Sequence, residues 1–316
     1  LRALVVSNMR PDAAHPERGR FVRDQVQALR ALGGAEVELF EFPPGGRALA
    51  TAARELRART RGTGAGPAPD VVHAHFGLTA WPAFAARATV RALTLHGTDV
   101  RHPRTRLATL AAAPFIDVLA TASEALAAEL PWARLRRRAV ALPCGVDTGR
   151  FRPLQRAAAR SALGRDPHTP CLLFPADPAR PGKRHDLALA LAASAGVELL
   201  HLGGVDPDVV PLWVNAANAV LVPSDHEGFG LAVLEALACD VPVLATPVGV
   251  HPRALAHVQG TLCAPFDLAA WGEALAPHLR AHDPRVEGRA RAEELSAARM
   301  AERVLAAWQD ALQRSR

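Results

Sequence analysis

Short apolar runs along this chain alternate with longer stretches in which apolar positions recur every three to four residues. In the first half the runs predict strands over 3–6, 36–40, 70–73, 91–95, 116–120 and 139–142, with helices over 21–32 and 48–59 between them. The same alternation restarts in the second half. Strands are predicted over 171–174, 198–202, 219–222 and 242–245, with a short one at 261–263, and helices over 184–195, 230–238 and 268–281. A last amphipathic helix over 299–314 carries Met300, Val304, Trp308 and Leu312 on one face. Strand–helix alternation of this kind predicts parallel α/β architecture. The pattern breaks at Phe151-Arg-Pro, so two halves are expected to meet near 148–154. The expected organisation is a first domain over 1–150, a second over 151–298, and a terminal helix over 299–316 that packs back on the first. Two doubly wound, Rossmann-like domains then face one another across a cleft, where ligands commonly sit. The stretch Arg-Gly-Thr-Gly-Ala-Gly-Pro-Ala-Pro over 61–69 reads as a flexible surface loop.

Composition narrows the class. At 316 residues with 49% hydrophobic content, the chain can bury one large core or two ordinary ones. No run approaches the length of a membrane span, and residues 1–7 read as a buried strand rather than a signal peptide. A cytoplasmic setting is expected, with a peripheral contact to anionic lipid left open. Cys144, Cys171, Cys239 and Cys263 form no C-x-x-C pair, which argues against a zinc knuckle and for buried free thiols. The net charge of +6 comes from arginine, with Lys183 as the single lysine. Heavy Ala, Arg, Gly and Pro usage explains that charge by coding bias, and no aromatic-interleaved basic stripe supports nucleic-acid binding.

The most informative segment runs from Pro223 to Val243. A strand delivers the chain to a loop with Glu227, Gly228 and Gly230, and a helix then carries Glu235. Glycines let backbone approach a ligand, and a helix start offers amides to anions or hydroxyls. At helical rise the two carboxylates stand about 12 Å apart along the axis, a span that fits a ligand with sugars at both ends and a diphosphate between. Carboxylates suit vicinal hydroxyls because they accept charge-assisted hydrogen bonds. Each residue also has a plainer reading: Glu235 as a solvated helix position, Glu227 as a helix-terminus carboxylate. An otherwise apolar helix around Glu235 favours a partner for it.

The run Glu227-Gly-Phe-Gly-Leu-Ala-Val-Leu-Glu235 resembles the paired-glutamate signature of glycosyltransferase family 4, and the subgroup related to the teichuronic-acid transferases is the most similar. Further segments carry the resemblance along nearly the whole chain. They are Gly19-Arg-Phe-Val-Arg-Asp-Gln-Val, Asp70-Val-Val-His-Ala-His-Phe-Gly, Thr94-Leu-His-Gly-Thr-Asp99, Pro143-Cys-Gly-Val-Asp147 and Gly182-Lys-Arg. The resemblance implies a GT-B fold and a retaining hexosyltransferase of polysaccharide or related biosynthesis. Such an enzyme needs no cofactor or metal beyond its nucleotide diphosphate sugar, with a UDP-sugar as the default donor. The acceptor would be a glycan, a glycolipid or a small natural product.

The resemblance further implies that Glu235 holds the donor ribose and Glu227 the transferred sugar. Gly228, Phe229, Gly230 and Leu231 complete that pocket, Lys183 neutralises the departing diphosphate, and His96 contacts the sugar near the reacting centre. Gly19 would let its loop approach the phosphates. Asp177 stands where the family carries a basic residue six positions before the lysine, so Arg180 or Arg184 would take its place. His75 and Asp99 are weaker candidates for acceptor contacts. His73, His75, His96 and Asp99 also admit a metal-site reading, which a two-half α/β pattern disfavours. A nucleotide-sugar epimerase of the same fold and a silent nucleotide-sugar-binding protein remain as alternatives. A nicotinamide enzyme is disfavoured, because the loop 8–19 lacks G-x-G-x-x-G.

Overall fold

The computed structural model describes residues 1–61 and 66–316. The middle of the loop expected over 61–69 lies outside the described residues. The chain divides into two compact units, Leu1–Gly145 with Ala297–Arg316, and Val146–Ser296.

The first unit holds six parallel strands: β1 (Arg2–Ser7), β2 (Glu36–Glu41), β3 (Val71–His75), β4 (Val90–Leu95), β5 (Val118–Thr121) and β6 (Val140–Ala141). Their order in the sheet is β2-β1-β3-β4-β5-β6. Alternate residues of β1 enter opposite cores. Leu4 and Val6 pack on one face with Phe40, Leu56 and Leu93, while Ala3 and Val5 pack on the other with Val22, Val26 and Leu29. A sheet covered on both faces therefore reads as a continuous apolar run.

The second unit holds β7 (Cys171–Phe174), β8 (Glu198–His201), β9 (Ala219–Val222), β10 (Val243–Ala245) and β11 (Leu262–Cys263), ordered β11-β10-β9-β7-β8 and parallel throughout. Its core gathers Leu172, Phe174, Leu191, Leu221, Trp271 and Leu275. In each sheet the strand order reverses once, between β1 and β3 and between β7 and β9. Crevices open outside the carboxyl ends of strands at such switch points.

The boundary between units differs from the sequence expectation. The 148–154 segment is gripped within the second unit, where Arg289 donates to the carbonyls of Thr148 (2.9 Å) and Phe151 (3.2 Å) and Arg285 to that of Leu154 (2.5 Å). Val146 also donates its amide to the Leu295 carbonyl at 3.1 Å. Half-buried arginine side chains thus bind this stretch as part of a domain rather than leaving it as a linker. The final helix, Ala297–Arg314, belongs to the first unit, where Met300, Val304 and Trp308 pack with Val22, Val26 and Leu29 of helix Arg20–Leu32. The four cysteines are free; three are buried and Cys263 is half-buried. No helix among the described residues is long and apolar enough to cross a membrane.

Trp308 is fully buried and donates its indole N–H to His73. Replacing it with alanine should therefore cost the first unit about 3–5 kcal/mol. Denaturant unfolding measures this, and a loss under 1 kcal/mol would contradict the docking of the last helix.

Candidate functional site

In the second unit the loops leaving β7, β9 and β10 are tied together at the switch point. Asp225 donates its amide to the Gly182 carbonyl at 3.0 Å, and Val250 donates to the Phe229 carbonyl at 2.7 Å. Thr246 Oγ1 donates to the Ser224 carbonyl at 2.6 Å. On this frame Lys183 Nζ lies 2.6 and 2.7 Å from the two oxygens of Glu227, and Ser224 Oγ donates to Glu227 Oε1 at 2.8 Å. The side chains are 20% and 9% exposed, so the pair is shielded but reachable from solvent. Burial alone would raise the Glu227 pKa, yet the Lys183 ammonium and the Ser224 hydroxyl hold it below the ordinary carboxylate value. The result is an ionised carboxylate beside an ammonium, at a place where both can exchange their partner for a ligand.

The surrounding backbone explains the glycines. Gly230 caps helix Leu231–Ala238 with φ 105°, and a Cβ there would stand 2.5 Å from His251 Nε2. Phe229 is buried, Gly228 and Leu231 are half-buried, and Glu235 lies half-buried in the second turn of the helix. The helical spacing expected between Glu227 and Glu235 applies only from Leu231 onward. The left-handed turn at Gly230 breaks the path, and Glu227 sits in the loop before it.

The arginines separate into two states. Arg184 is engaged by Asp186 and Asp225, at 2.8 and 3.2 Å. Arg180 is exposed, with no polar partner for its side chain among the described residues. Asp177 builds the turn leading into Arg180, accepting the Ala179 amide on its carboxylate at 2.8 Å and the Arg180 amide on its carbonyl at 3.1 Å. Sequence reasoning missed Ser224 and His251. His251 is wholly buried; its Nδ1 donates to the Thr246 carbonyl at 2.8 Å, and its Nε2 has no partner. A lone histidine in an apolar run carries no signal of such a place.

In the first unit, the loops after β1, β3 and β4 carry the other candidates. Gly19 heads helix Arg20–Leu32 with φ 69°, and a Cβ there would meet the Met9 carbonyl oxygen at 2.4 Å. Its conformation serves a close pass of its own loop. Phe21 lies one residue into that helix, with its ring 4.8 Å from His96, and the Phe76 ring stands 4.7 Å away. His96 Nε2 is 2.9 Å from His75 Nδ1. The rings of His73, His75 and His96 stack in sequence, with centroids 4.8 and 5.2 Å apart. His73 Nε2 meets Thr94 Oγ1 at 2.7 Å, and Trp308 Nε1 donates to His73 Nδ1 at 3.2 Å.

Acceptor contacts by His75 and Asp99 do not fit this geometry, because both side chains lie beneath the surface. His75 is 1% exposed, and Asp99 is 3% exposed with its oxygens taken by the amides of Gly77 (3.0 Å) and His96 (2.6 Å). Burial raises the Asp99 pKa, opposed by those same amides. The histidines follow one another in a row, His75 bonded edge to edge to His96, instead of converging on a point, so the metal reading loses its geometric basis. No group of three or more metal-ligating side chains is found among the described residues.

Comparison with known proteins bears on the two units and their fold. Residues 2–150 match the family model described as Glycosyltransferase Family 4, and residues 181–294 match that described as Glycosyl transferases group 1. The chain carries two glycosyltransferase domains in the GT-B fold. This GT-B chain is 37% identical over 186 residues to the D-inositol 3-phosphate glycosyltransferase of Mycobacterium avium, covering 49% of the chain and 44% of that relative. It is 30% identical over 273 residues to the protein of the same name from Actinosynnema mirum, covering 67% and 65%. The chain thus spans less than half the length of the first of these relatives. Among solved structures, sucrose-phosphate synthase from Thermosynechococcus elongatus superposes with a TM-score of 0.71 at 19% identity, over 98% of this chain and 99% of that one. HepE of Anabaena in complex with UDP superposes at 0.67 and 15% identity, over 98% and 100%.

The histidine stack makes stability depend on pH. Burial drives the pKa of His73 and His96 down to about 3 and that of His75 well below its ordinary 6.5. The unfolded chain therefore takes up these protons first, and stability present above pH 6.5 is lost as pH falls toward 3. Between pH 6.5 and 5 each fully buried ring should remove up to about 1.4 kcal/mol per pH unit. Calorimetry of the first unit's transition should show its midpoint falling over that window; a level midpoint would contradict a neutral stack.

Proposed function

We propose that this chain is a retaining glycosyltransferase that moves a hexose from a nucleotide diphosphate sugar, by default a UDP-sugar, to a hydroxyl acceptor. The observation that carries this reading is the Lys183–Glu227 pair at the switch point of the second unit. On donor binding, Lys183 exchanges Glu227 for the diphosphate, and Glu227 accepts hydroxyls of the transferred sugar. Stabilising charge on the leaving phosphate is the main lever in such a reaction. Arg180, which has no competing carboxylate, is the second cation; Arg184 is already held by two. Glu235 takes the donor ribose, and the backbone at Gly228, Phe229, Gly230 and Leu231 closes around the sugar. The first unit serves the acceptor and, through His96, the transferred sugar; Gly19 shapes the loop beside it. No protein nucleophile is required, since departure of the diphosphate and same-face attack of the acceptor conserve configuration. The D-inositol 3-phosphate glycosyltransferases it resembles suit a small polyol phosphate acceptor, and the teichuronic-type resemblance suits an envelope glycan or glycolipid.

Peripheral contact with an anionic lipid surface is part of the same reading. Trp81, Phe84 and Phe115 touch in series, with ring centroids 5.8 and 6.0 Å apart, and Leu107 beside them is 72% exposed. Trp81 donates to the carbonyl of Ala108, next to Leu107, and Arg138 donates to that of Ile116, next to Phe115. Arg104 and Arg106, on the same helix as Leu107, are exposed and without ion pairs among the described residues. Aromatic rings flanked by unpaired arginines match the apolar and phosphate layers of a lipid interface.

Two measurements check these readings. In a thermal-shift panel of UDP-glucose, UDP-N-acetylglucosamine and GDP-mannose, a donor at a hundredfold its Kd should add about 2.7 kcal/mol of stability. Glu235→Ala should abolish that shift, and an unchanged shift would overturn the site assignment. In co-sedimentation, vesicles rich in phosphatidylglycerol should retain the chain at low salt and phosphatidylcholine vesicles should not. Arg104→Glu with Arg106→Glu should release it, and equal retention on both vesicles would refute the lipid contact.

A further inference from the structure

The hydrogen bonds of the histidine stack determine where its protons lie. An indole nitrogen only donates, so His73 Nδ1, which faces Trp308 Nε1 at 3.2 Å, must be bare. Neutral His73 then carries its proton on Nε2 and donates it to Thr94 Oγ1 at 2.7 Å. The shared contact between His75 Nδ1 and His96 Nε2 has two arrangements, and the far nitrogen of His75 separates them. His75 Nε2 is buried and has no hydrogen-bond partner. A proton there would leave an orphaned N–H in the interior, which folded proteins avoid more strictly than an orphaned acceptor. His75 therefore carries its proton on Nδ1 and donates it to His96 Nε2 at 2.9 Å. With its Nε2 lone pair occupied, neutral His96 carries its own proton on Nδ1. That nitrogen is neither buried without a partner nor bonded to any described residue, and His96 itself is half-buried.

We propose that His75 is a positioning residue that holds His96 in its Nδ1–H form, so that His96 meets the ligand only as a hydrogen-bond donor to an oxygen. This deepens the role given to His96 above and rests on that reading. A histidine held in this way has no lone pair with which to take a proton from an acceptor hydroxyl, so it is not a general base. It recognises a hydroxyl or other oxygen of the transferred sugar.

The turn that seats His96 shows the same constraint. Phe76 lies at φ 73°, ψ 140°, a conformation rare for any residue but glycine, and strain of this kind persists only where its surroundings impose it. Its amide is bound to the Thr94 carbonyl at 3.0 Å, and Asp99 binds the next amide, at Gly77. The turn lays the Phe76 ring on His96 beside Phe21, whose ring reaches both from the helix after Gly19. Phe76 and Phe21 pack against the His96 ring, and His75 settles its proton.

The test reads the proton directly. Long-range proton–nitrogen NMR of the ligand-free chain, labelled at histidine and assigned by loss of one ring signal in His96→Gln, should show His96 protonated at Nδ1. His75→Asn places an amide N–H where Nδ1 stood and should keep that tautomer. His75→Asp puts an acceptor where the donor stood and should move the proton to Nε2. The Kd of whichever nucleotide sugar shifts the unfolding midpoint should rise about fivefold in His75→Asp and return in His75→Asn, as expected for one misdirected hydrogen bond. A native His96 protonated at Nε2, or an unchanged tautomer in His75→Asp, overturns the proposal. Equal affinity loss in both variants with the tautomer restored by asparagine overturns it as well. The spectra need no ligand, so failure of every nucleotide sugar to bind would sink the functional reading alone.

Discussion

An ammonium and a carboxylate 2.6 Å apart, at the carboxyl ends of two adjacent parallel strands, are the contact on which the reading of this protein depends. Neither group would be stable there alone, because a partly desolvated charge without a partner is costly. The sheet brings them together. β7 and β9 are neighbours in space but separated in sequence by β8 and its helices, and the reversal of strand order leaves a gap above their ends. Hydrogen bonds from Asp225 to Gly182 and from Thr246 to Ser224 then set the loops at a fixed spacing. A ligand entering this place meets a positive and a negative group already oriented, and binding exchanges ion-pair energy for ligand contacts instead of creating order anew.

The first unit solves a different problem at its own switch point. Two imidazoles, His73 and His75, sit where water is excluded, with half-buried His96 next to them, and burial keeps the rings neutral. Neutral rings still need hydrogen-bond partners, and the chain supplies them in a line from the last helix inward: Trp308, His73 and Thr94, then His75 and His96. The terminal helix thereby does more than fill a hydrophobic face. Its indole decides the tautomer of His73, the ring beside His75.

Much of this was legible in the residues. The central strands were readable because both faces of the sheet are buried there, so β7 and β9 are plain apolar runs and appear where expected. The motif glycines were readable because a left-handed turn or a close approach excludes other residues, as at Gly230. The domain boundary was misjudged, because Phe151-Arg-Pro looks like a linker until Arg289 and Arg285 are seen binding its carbonyls from more than a hundred residues away. His75 and Asp99 were placed on a ligand because polar side chains near a motif suggest contact. In the fold both face inward, to another histidine and to two amides.

The order of apolar and polar positions alone thus determined the class of architecture, the number of sheets and the segments that carry the chemistry, since burial and backbone conformation act locally along the chain. Only the tertiary structure decided which of those segments meet. It paired Lys183 with Glu227, set Arg184 on its own carboxylates, enclosed His251 and His75, and brought Trp308 to His73. Contacts between residues far apart in sequence arise from strand order and helix docking, and nothing in the local pattern records them.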